Sequence, residues 1–311
     1  MSFDIFISSL FGSLGQGLLF ALIAIGIFLN LRIMKTPDLT VEGSFAFGGV
    51  IAMTMLSNGA HFMTALLVAP LGGAVAGLAT GLIHTKLRID GIISGLLVTM
   101  ALFSINLFVM GSPIISAPME TFVSMPFRVL LDSLGVGLST GRLLSWIFVG
   151  LIVTTIVIAG LYLLFKTSFG LSVRATGSNE YMARSNGINT DACKIFTLML
   201  SNTIVALGGA IIMQQQGGAD VNRGIGVLVI GLAALVIGEV MTPKKASILT
   251  RLLFIVIGAV LYFKVINIII ISGLMGSEAT RLLTAVLTLL ALCAPRLRQI
   301  RFRRANNDQA K

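Results

Sequence analysis

The feature that most constrains this chain is a series of apolar runs, each about 20 residues long, which recurs along nearly the whole sequence. A run of this length is what an α-helix needs to cross the hydrocarbon core of a membrane. Backbone polar groups must be satisfied internally there, which selects helices. Only 11% of the 311 residues are charged, whereas a soluble domain carries about 25%. The chain is therefore predicted to cross a bilayer many times.

Nine spans are predicted, so the fold class is an all-α, polytopic membrane helix bundle with about nine (eight to ten) transmembrane helices. The spans are 10–31, 40–57, 62–84, 91–110, 143–165, 194–213, 222–240, 248–265 and 279–295. The apolar stretch 266–277 is too short to cross alone, and is either a re-entrant half-helix or an extension of a neighbour. The membrane domain covers 1–295, and a basic tail covers 296–311.

The basic residues predict the orientation of these spans. Five of the 22 Lys and Arg residues fall on one side of the map, and the other 17 fall on the opposite side. The five are Arg128, Arg142, Arg223, Lys264 and Arg281. Cytoplasmic loops carry the excess of basic residues. The expected location is therefore a bacterial inner membrane, with the N-terminus periplasmic and the C-terminus cytoplasmic. The first run is expected to be an uncleaved helix, because no basic residue precedes it.

Several kinds of chemistry are not expected. The sequence contains no G-x-x-x-x-G-K-[ST], G-x-S-x-G, H-E-x-x-H or C-x-x-C motif. No span carries a run of acidic residues suited to a proton relay, and Glu239 is interpreted as the one carboxylate clearly inside a span, near its cytoplasmic end. The chain is therefore not expected to be an enzyme or to bind a cofactor of its own.

Metal and nucleic-acid sites are likewise not predicted. Cys193 and Cys293 are too far apart in sequence to form a metal motif, and His61 and His84 fall on opposite sides of the membrane. The net charge is +10, but the basic residues are scattered among apolar runs, apart from the tail. Membrane lipid is the expected partner of the tail, and nucleic acid is not an expected partner.

Two connections are long enough to suggest a function. Residues 111–142 form a predicted periplasmic loop with a modest helical signal, and residues 166–193 form the longest internal cytoplasmic loop. In the second loop, Gly177 is expected to break the chain and Ser178 to act as the N-cap of a short helix. Gly187 is a natural stop for that helix.

This short cytoplasmic helix exposes Tyr181 and Met182, which suit docking into the groove of a partner protein. Glu180 lies in its first turn, where a negative charge is favoured. The alternative interpretation is an ordinary surface helix.

A weak internal echo links two segments, PDLTVEGSFAFGGVIAM and ADVNRGIGVLVIGLAALVIGEVM. In each segment an Asp is followed four or five residues later by a Gly and then by a Gly-rich apolar run. Internal repeats of this kind are common in transporters, although Gly-rich helices also converge easily.

The loop residues carry a family resemblance. They are Gly170, Arg174-Ala175-Thr176-Gly177-Ser178-Asn179, Ala183 and Gly187-Ile188-Asn189. This pattern resembles the cytoplasmic coupling loop of bacterial ABC importer permeases of the branched-chain amino-acid and ribose type. Two further segments resemble the same family, LRIMKTPDLTVEGSFAFGGV and GIGVLVIGLAALVIGE. The three segments occur in the order in which the family has them. The resemblance covers nearly the whole chain and is greatest to the branch described as tryptophan/tyrosine, or uncharacterised, ABC transporter permeases.

The resemblance implies a transmembrane permease subunit that forms the solute path and couples ATPase closure to alternating access. The implied partners are an ABC ATPase subunit that uses ATP and Mg, a second permease copy or paralogue, and a periplasmic substrate-binding protein. The implied cargo is an amino acid or similar small metabolite. The residues expected to couple to the ATPase are Gly177, Ser178, Asn179, Glu180, Tyr181, Met182, Ala183, Arg184 and Gly187. The alternative is an ion-coupled secondary transporter of small solutes, which would need carboxylates in mid-membrane.

The second span is expected to line the solute path, mainly because of the resemblance. Gly43, Gly48 and Gly49 are expected to interrupt this helix and to expose backbone groups to a cavity. The candidate path residues are Glu42, Ser44, Phe45, Phe47, Asn106 and Asn202. The alternative for each polar residue is an interhelical hydrogen bond. Residues 214–216, all Gln, are expected either to meet the binding protein or to form a polar helix end.

Overall fold

The computed structural model of the chain describes residues 3–118, 122–133, 137–243 and 245–271, with positions 282, 285, 286, 288 and 289 beyond them. Eleven α-helices in these residues account for most of the chain. They are α1 (Phe3–Phe28), α2 (Thr40–Ser57), α3 (Phe62–Lys86), α4 (Gly91–Met110), α5 (Met125–Ser133), α6 (Leu138–Lys166), α7 (Ser168–Ser178), α8 (Glu180–Ser185), α9 (Thr190–Gln215), α10 (Val227–Met241) and α11 (Ile248–Ile271). A π-helical turn, Leu29–Met34, extends α1, and a 3₁₀ turn, Val221–Gly224, leads towards α10.

Eight segments of the described residues are long and apolar enough to cross a membrane. They are Leu10–Met34, Thr40–Ser57, Phe62–Lys86, Gly91–Met110, Thr140–Lys166, Thr190–Gln215, Val221–Met241 and Ile248–Ile270. These match the first eight predicted spans and confirm the all-α membrane bundle. The ninth predicted span, 279–295, falls outside the described residues apart from isolated positions. Of the ambiguous stretch 266–277, the part up to Ile271 extends α11, and the rest lies outside the described residues.

The connections between the spans collect at two ends of the bundle. At one end, here called the α8 end, Arg184 lies beside the last turn of α3, which contains His84, and beside the α3–α4 connection. At the other end, here called the β end, strand β1 (Ile114–Ile115) pairs antiparallel with strand β2 (Ala219–Asp220). His61 lies against α5 at the β end, so the two histidines are at opposite ends, as the sequence predicts.

Close contact between helix backbones holds the bundle together. Gly73, Gly77 and Gly81 recur every four residues along α3 and therefore share one face. A Cβ built on each would collide with α9, at Asn202, Leu198 or Ile195 respectively. Small residues at this spacing let two membrane helices approach each other closely. α9 is consequently locked against α3 along most of its length.

The second span is not interrupted, contrary to the expectation from its glycines. α2 is continuous from Thr40 to Ser57. A Cβ on Gly48 would collide with the backbone of Ala206, and one on Gly49 would collide with Met213. These glycines therefore make room for α9 and do not free backbone groups for a cavity.

The helices divide into an inner and an outer set. Residues 18–29 of α1 are buried almost without exception. The outer faces of α3, α4 and α6 instead expose large apolar side chains, among them Leu67, Met100, Phe108 and Ile156. Exposed apolar faces of this extent on membrane-length helices are suited to contact with lipid.

The two segments of the internal echo share a local structure. The Asp38 carboxylate accepts a hydrogen bond from the Thr40 N–H, two residues on, at 2.8 Å. The Asp220 carboxylate accepts one from the Asn222 N–H at 2.9 Å. The surrounding packing is also reciprocal, because α3 packs on α9 while α11 packs on α1. Since α1 and α9 run in opposite directions between the two ends, the arrangement supports an inverted repeat.

Replacing Gly48 by Ala should destabilise the protein, because the added methyl would collide with the Ala206 backbone. Overpacking of this kind costs about 1–3 kcal/mol. The matched control is Gly160→Ala in α6, where a Cβ would meet no atom within 4 Å. The thermal midpoints of the two purified variants in detergent would show the difference. Equal midpoints would contradict the packing described here.

Candidate functional site

Two short helices, α7 and α8, shape the long connection between α6 and α9. α7 follows α6 after one residue, and its last residue is Ser178. Asn179 is extended, and its side-chain oxygen accepts a hydrogen bond from the Met182 N–H at 3.1 Å. Asn179 is therefore the N-cap of α8, and the prediction that Ser178 plays this part is wrong. Gly187 has a φ of 77°, which fits the predicted stop after α8.

Gly177 does not break the chain, contrary to the sequence prediction. It lies inside α7, where a Cβ would collide with the carbonyl of Ile33 at the end of α1. Because glycine has no side chain, α7 can pack directly against the end of α1. A glycine is needed at position 177, but the reason is the close approach of two helices and not a turn.

α8 presents an apolar pair away from the rest of the chain. The side chains of Tyr181 and Met182 are 86% and 64% exposed, whereas Ala183 is buried. A helix of six residues buries too little surface to be held by packing alone. Other contacts must fix its position.

Ion pairs fix α8 against the first turns of α9. Lys194 Nζ donates to Glu180 Oε2 at 2.8 Å. A guanidinium nitrogen of Arg184 donates to Asp191 Oδ1 at 2.8 Å, and its Nε donates to Thr190 Oγ1 at 2.7 Å. Arg184 also pairs with Glu180 at 3.2 Å, one turn apart on α8. These residues form one network that joins the two helices.

This network controls the charge of Glu180. The hydrogen bond from Lys194 holds the pKa of the Glu180 carboxyl below its usual value of 4.5, and the positive charges of Lys194 and Arg184 act in the same direction against the effect of burial. Glu180 is therefore ionised at neutral pH. Of the predicted coupling residues, Glu180 and Arg184 are thus engaged with their own chain, while Tyr181 and Met182 remain accessible to a partner.

A buried carboxylate that the sequence prediction missed lies at the start of α2. Asp38 is 4% exposed. Its Oδ2 accepts hydrogen bonds from the side-chain amides of Asn30 at 3.0 Å and Asn202 at 2.8 Å, while its Oδ1 caps α2 through the N–H of Thr40. Asp38 therefore joins α1, α2 and α9. The sequence does contain a signal for this role, because an Asp two residues before the first residue of a helix is typical of an N-cap region.

Glu42 accepts a hydrogen bond at the start of another helix, α10. Its Oε1 accepts a hydrogen bond from the N–H of Gly226 at 3.0 Å, immediately before α10. A carboxylate there meets the positive end of the helix dipole. Glu42, predicted as a path residue, thus connects α2 to the start of α10.

The other predicted path residues surround α2 in the interior. Ser44, Phe45 and Asn106 are buried, and Asn202 is held by Asp38. Phe45 lies 6.4 Å from the ring of Phe20 on α1, whereas Phe47 is half-buried beside Gly72 of α3. The structure therefore brings all six predicted path residues to α2 or its neighbours. Ser44, Phe45 and Asn106 lie in packed surroundings, and their place on a solute path stays a prediction.

Glu239 lies at the end of a span and has a partner. Both of its carboxylate oxygens accept from Arg32, at 2.7 Å from Nε and 2.5 Å from a terminal nitrogen. This bidentate pair joins the ends of α1 and α10 at the α8 end. The prediction of Glu239 as the one carboxylate inside a span is wrong, because Glu42 also lies in a membrane-length helix, Thr40–Ser57.

No cluster of three or more His, Cys, Asp or Glu side chains suited to a metal occurs in the part of the chain that the structure describes. Cys193 is buried and free in the first turn of α9. Cys293 lies outside the described residues.

Comparisons with known proteins place the chain among transport proteins. The model of a family described as "Branched-chain amino acid transport system / permease component" matches residues 9–292. The tyrosine transport system permease protein of Clostridioides difficile is 32% identical over 93% of this chain and 92% of its own. An uncharacterized Rickettsia prowazekii protein is 28% identical over 84% and 89% of the two chains. The ribose import permease RbsC of Escherichia coli is 27% identical over 75% and 69%. No solved structure matches the chain significantly.

Replacing Asp38 by Ala should destabilise the protein by about 3 kcal/mol or more, because two buried amides and a backbone N–H would be left without their acceptor. The control is Asp90→Ala, which removes an exposed carboxylate that caps α4 through Ile92. Loss of such a cap costs about 1 kcal/mol. Thermal unfolding of both variants measures the difference, and a smaller loss for Asp38→Ala would contradict the buried network.

Replacing Glu180 by Gln should loosen α8, because Lys194 and Arg184 would lose their shared carboxylate. Solvent screening limits each of these two partly exposed ion pairs to about 0–1 kcal/mol, so hydrogen exchange of the α8 amides should accelerate by up to about 30-fold at neutral pH. Asp132→Asn, which removes an exposed carboxylate at the β end, should leave this exchange unchanged.

The pH dependence follows from the lowered pKa of Glu180. Its stabilising contribution is fully present above the usual value of 4.5 and is lost as the pH falls through the lower folded-state pKa. Wild-type α8 should therefore keep its protection at pH 5, after correction for intrinsic exchange. Loss of protection already between pH 7 and 5 would contradict the network.

Proposed function

Because the chain belongs to the family of branched-chain amino acid transport permease components, we propose that it forms part of the solute path of an ABC importer and is coupled to the ATPase through α8. As a member of this family it is a multi-pass membrane permease subunit and not itself an enzyme. The observation that carries the coupling proposal is the apolar pair Tyr181 and Met182, exposed on a helix that ion pairs hold in place.

The proposed coupling works through α8 as a rigid extension of α9. Tyr181 and Met182 enter a groove of the ATPase subunit, which binds ATP and Mg. Closure of the ATPase dimer draws together the α8 helices of two permease copies or paralogues. Because Glu180 is paired with Lys194, a displacement of α8 is passed to α9, which packs along α3 and α2. The bundle then shifts between two states that differ in their contacts with the ATPase.

We propose that the α8 end is cytoplasmic and the β end periplasmic, in a bacterial inner membrane. The support is the distribution of basic residues, since Lys35, Lys86, Arg88 and Lys166 all belong to the α8 end and cytoplasmic loops carry such an excess. In this orientation the N-terminus is periplasmic, the C-terminus is cytoplasmic, and a substrate-binding protein docks at the β end.

The proposed cargo is an amino acid or a similar small metabolite. The support is the match to a tyrosine transport permease over 93% of this chain. The buried aromatic and amide side chains around α2 do not by themselves select a cargo, because the binding protein makes that selection in the proposed system.

An ion-coupled secondary transporter is the second candidate, and Asp38 is the observation that favours it. Such a transporter needs a deep carboxylate, and Asp38 is one. Both Asp38 oxygens, however, accept hydrogen bonds from their own chain, so the carboxylate acts as a cap and a helix connector. Purified chain in vesicles should therefore not accumulate an amino acid in response to an ion gradient.

Replacing Tyr181 and Met182 together by Asp should reduce co-purification with the ATPase subunit of the same transport system by about tenfold or more, since exposed aromatic anchors dominate such contacts. The matched control is Val129→Asp with Leu130→Asp, an exposed apolar pair on α5 at the β end. Both double variants should keep the wild-type thermal midpoint. Undiminished association of the first variant would rule out the α8 contact.

A further inference from the structure

A cavity at the β end is not used by the coupling proposal. It has a volume of about 140 Å³ and lies between α5, the beginning of α6 and the end of α9. Its walls include the two basic residues Arg128 and Arg142, the indole of Trp146 and the amide of Gln215. The cavity therefore combines two cations, an aromatic surface and a hydrogen-bonding group.

The two arginines have no anionic partner among the described residues, whose ion pairs all involve Arg32, Arg184 or Lys194. Asp132 lies one turn beyond Arg128 on α5, yet it forms no ion pair with either arginine within the described residues. Guanidinium groups bind carboxylates through paired, charge-assisted hydrogen bonds. Two unpaired guanidinium groups on one cavity are thus suited to a ligand carboxylate.

Gln215 offers the complementary group. Its Oε1 is buried and has no hydrogen-bond partner among the described residues. The amide of the neighbouring Gln214 is satisfied, because it accepts from the Val123 N–H at 2.9 Å and donates to the Ala210 carbonyl at 3.0 Å. A buried acceptor of this kind requires a donor. An ammonium group in the cavity would supply one after a rotation of the Gln215 side chain, because Oε1 is itself closed to solvent.

We infer that this cavity binds the zwitterionic head group of an α-amino acid, with its carboxylate on Arg128 and Arg142 and its ammonium on Gln215 Oε1. The inference rests on the proposed function and specifies the substrate class at its periplasmic end. The small volume holds the head group, and the ligand side chain extends from the mouth. The site therefore recognises amino acids as a class.

An acidic side chain of a docked protein would bring a carboxylate without a free α-ammonium. The two sources are thus distinguished by Gln215, which the ammonium of a free amino acid would satisfy and a carboxylate alone would not.

The chain carries its own probe of this cavity, because Trp146 is its single tryptophan and lines the wall. Purified chain in protein-free lipid vesicles or detergent is titrated with L-phenylalanine under indole-selective excitation. The expected result is a saturable change in Trp146 emission. Phenylalanine amide lacks the carboxylate, and N-acetylphenylalanine lacks the ammonium, so both should produce a much weaker response. N-acetylglutamate α-amide represents an acidic side chain of a protein.

Variants assign the two interactions. Arg142→Gln and Gln215→Leu should each weaken the apparent Kd for phenylalanine by about tenfold, the effect of losing one charge-assisted contact. Arg88→Gln, which removes an exposed cation at the α8 end, should leave the Kd unchanged. Thermal midpoints identify variants that do not fold, and the analogue series on the wild-type chain tests the proposal without any variant.

The outcomes separate this inference from the proposed function. No saturable response to phenylalanine, or an equal response to N-acetylglutamate α-amide, would overturn the amino-acid site even if ATP-driven import persists. Saturable binding that needs both the carboxylate and the ammonium supports the site. It does so without the ATPase, so it stands even if the α8 contact fails.

Discussion

Glu180 and Arg184 hold α8 against the first turns of α9. The glycines of α3, the Asp38 network and the β-end cavity also contact α9. This helix has 26 residues and is therefore about 39 Å long. It begins at the ion pairs with α8, packs on the glycines of α3, donates to Asp38 through Asn202 and ends at Gln215 beside the β-end cavity. A movement of α8 thus has a rigid path to the opposite end of the bundle, which an isolated surface helix would lack.

The interior combines close backbone contact with paired polar groups. Glycines on α2 and α3 remove the side chains that would separate these helices from α9. Two carboxylates then satisfy helix starts within the bundle, since Asp38 caps α2 and Glu42 accepts from the residue before α10. Polar groups removed from water are costly unless paired, so these contacts fix where α2 and α10 begin. The reciprocal positions of the two helices are consistent with an inverted repeat.

Much of this architecture could be predicted from the sequence, because long apolar runs and the positions of basic residues are local signals. Eight spans follow from them, while α5 follows from a short helical pattern and the stop after α8 from Gly187 itself. The errors have a common cause. The sequence predicts breaks at Gly177, Gly48 and Gly49, yet each makes room for a helix that is distant in sequence. The Asp38 network and the Glu180–Lys194 pair likewise depend on tertiary proximity, which periodicity and capping signals do not contain.

The proposed coupling requires that Tyr181 of α8 touch the ATPase. Site-specific photo-crosslinking in the assembled complex tests this contact, with a photoreactive phenylalanine analogue at position 181 and, for comparison, at position 129 on α5. We expect a crosslink to the ATPase subunit from position 181 and none from position 129. An intact complex that yields no crosslink from position 181, or yields it only from position 129, would show that α8 is not the contact.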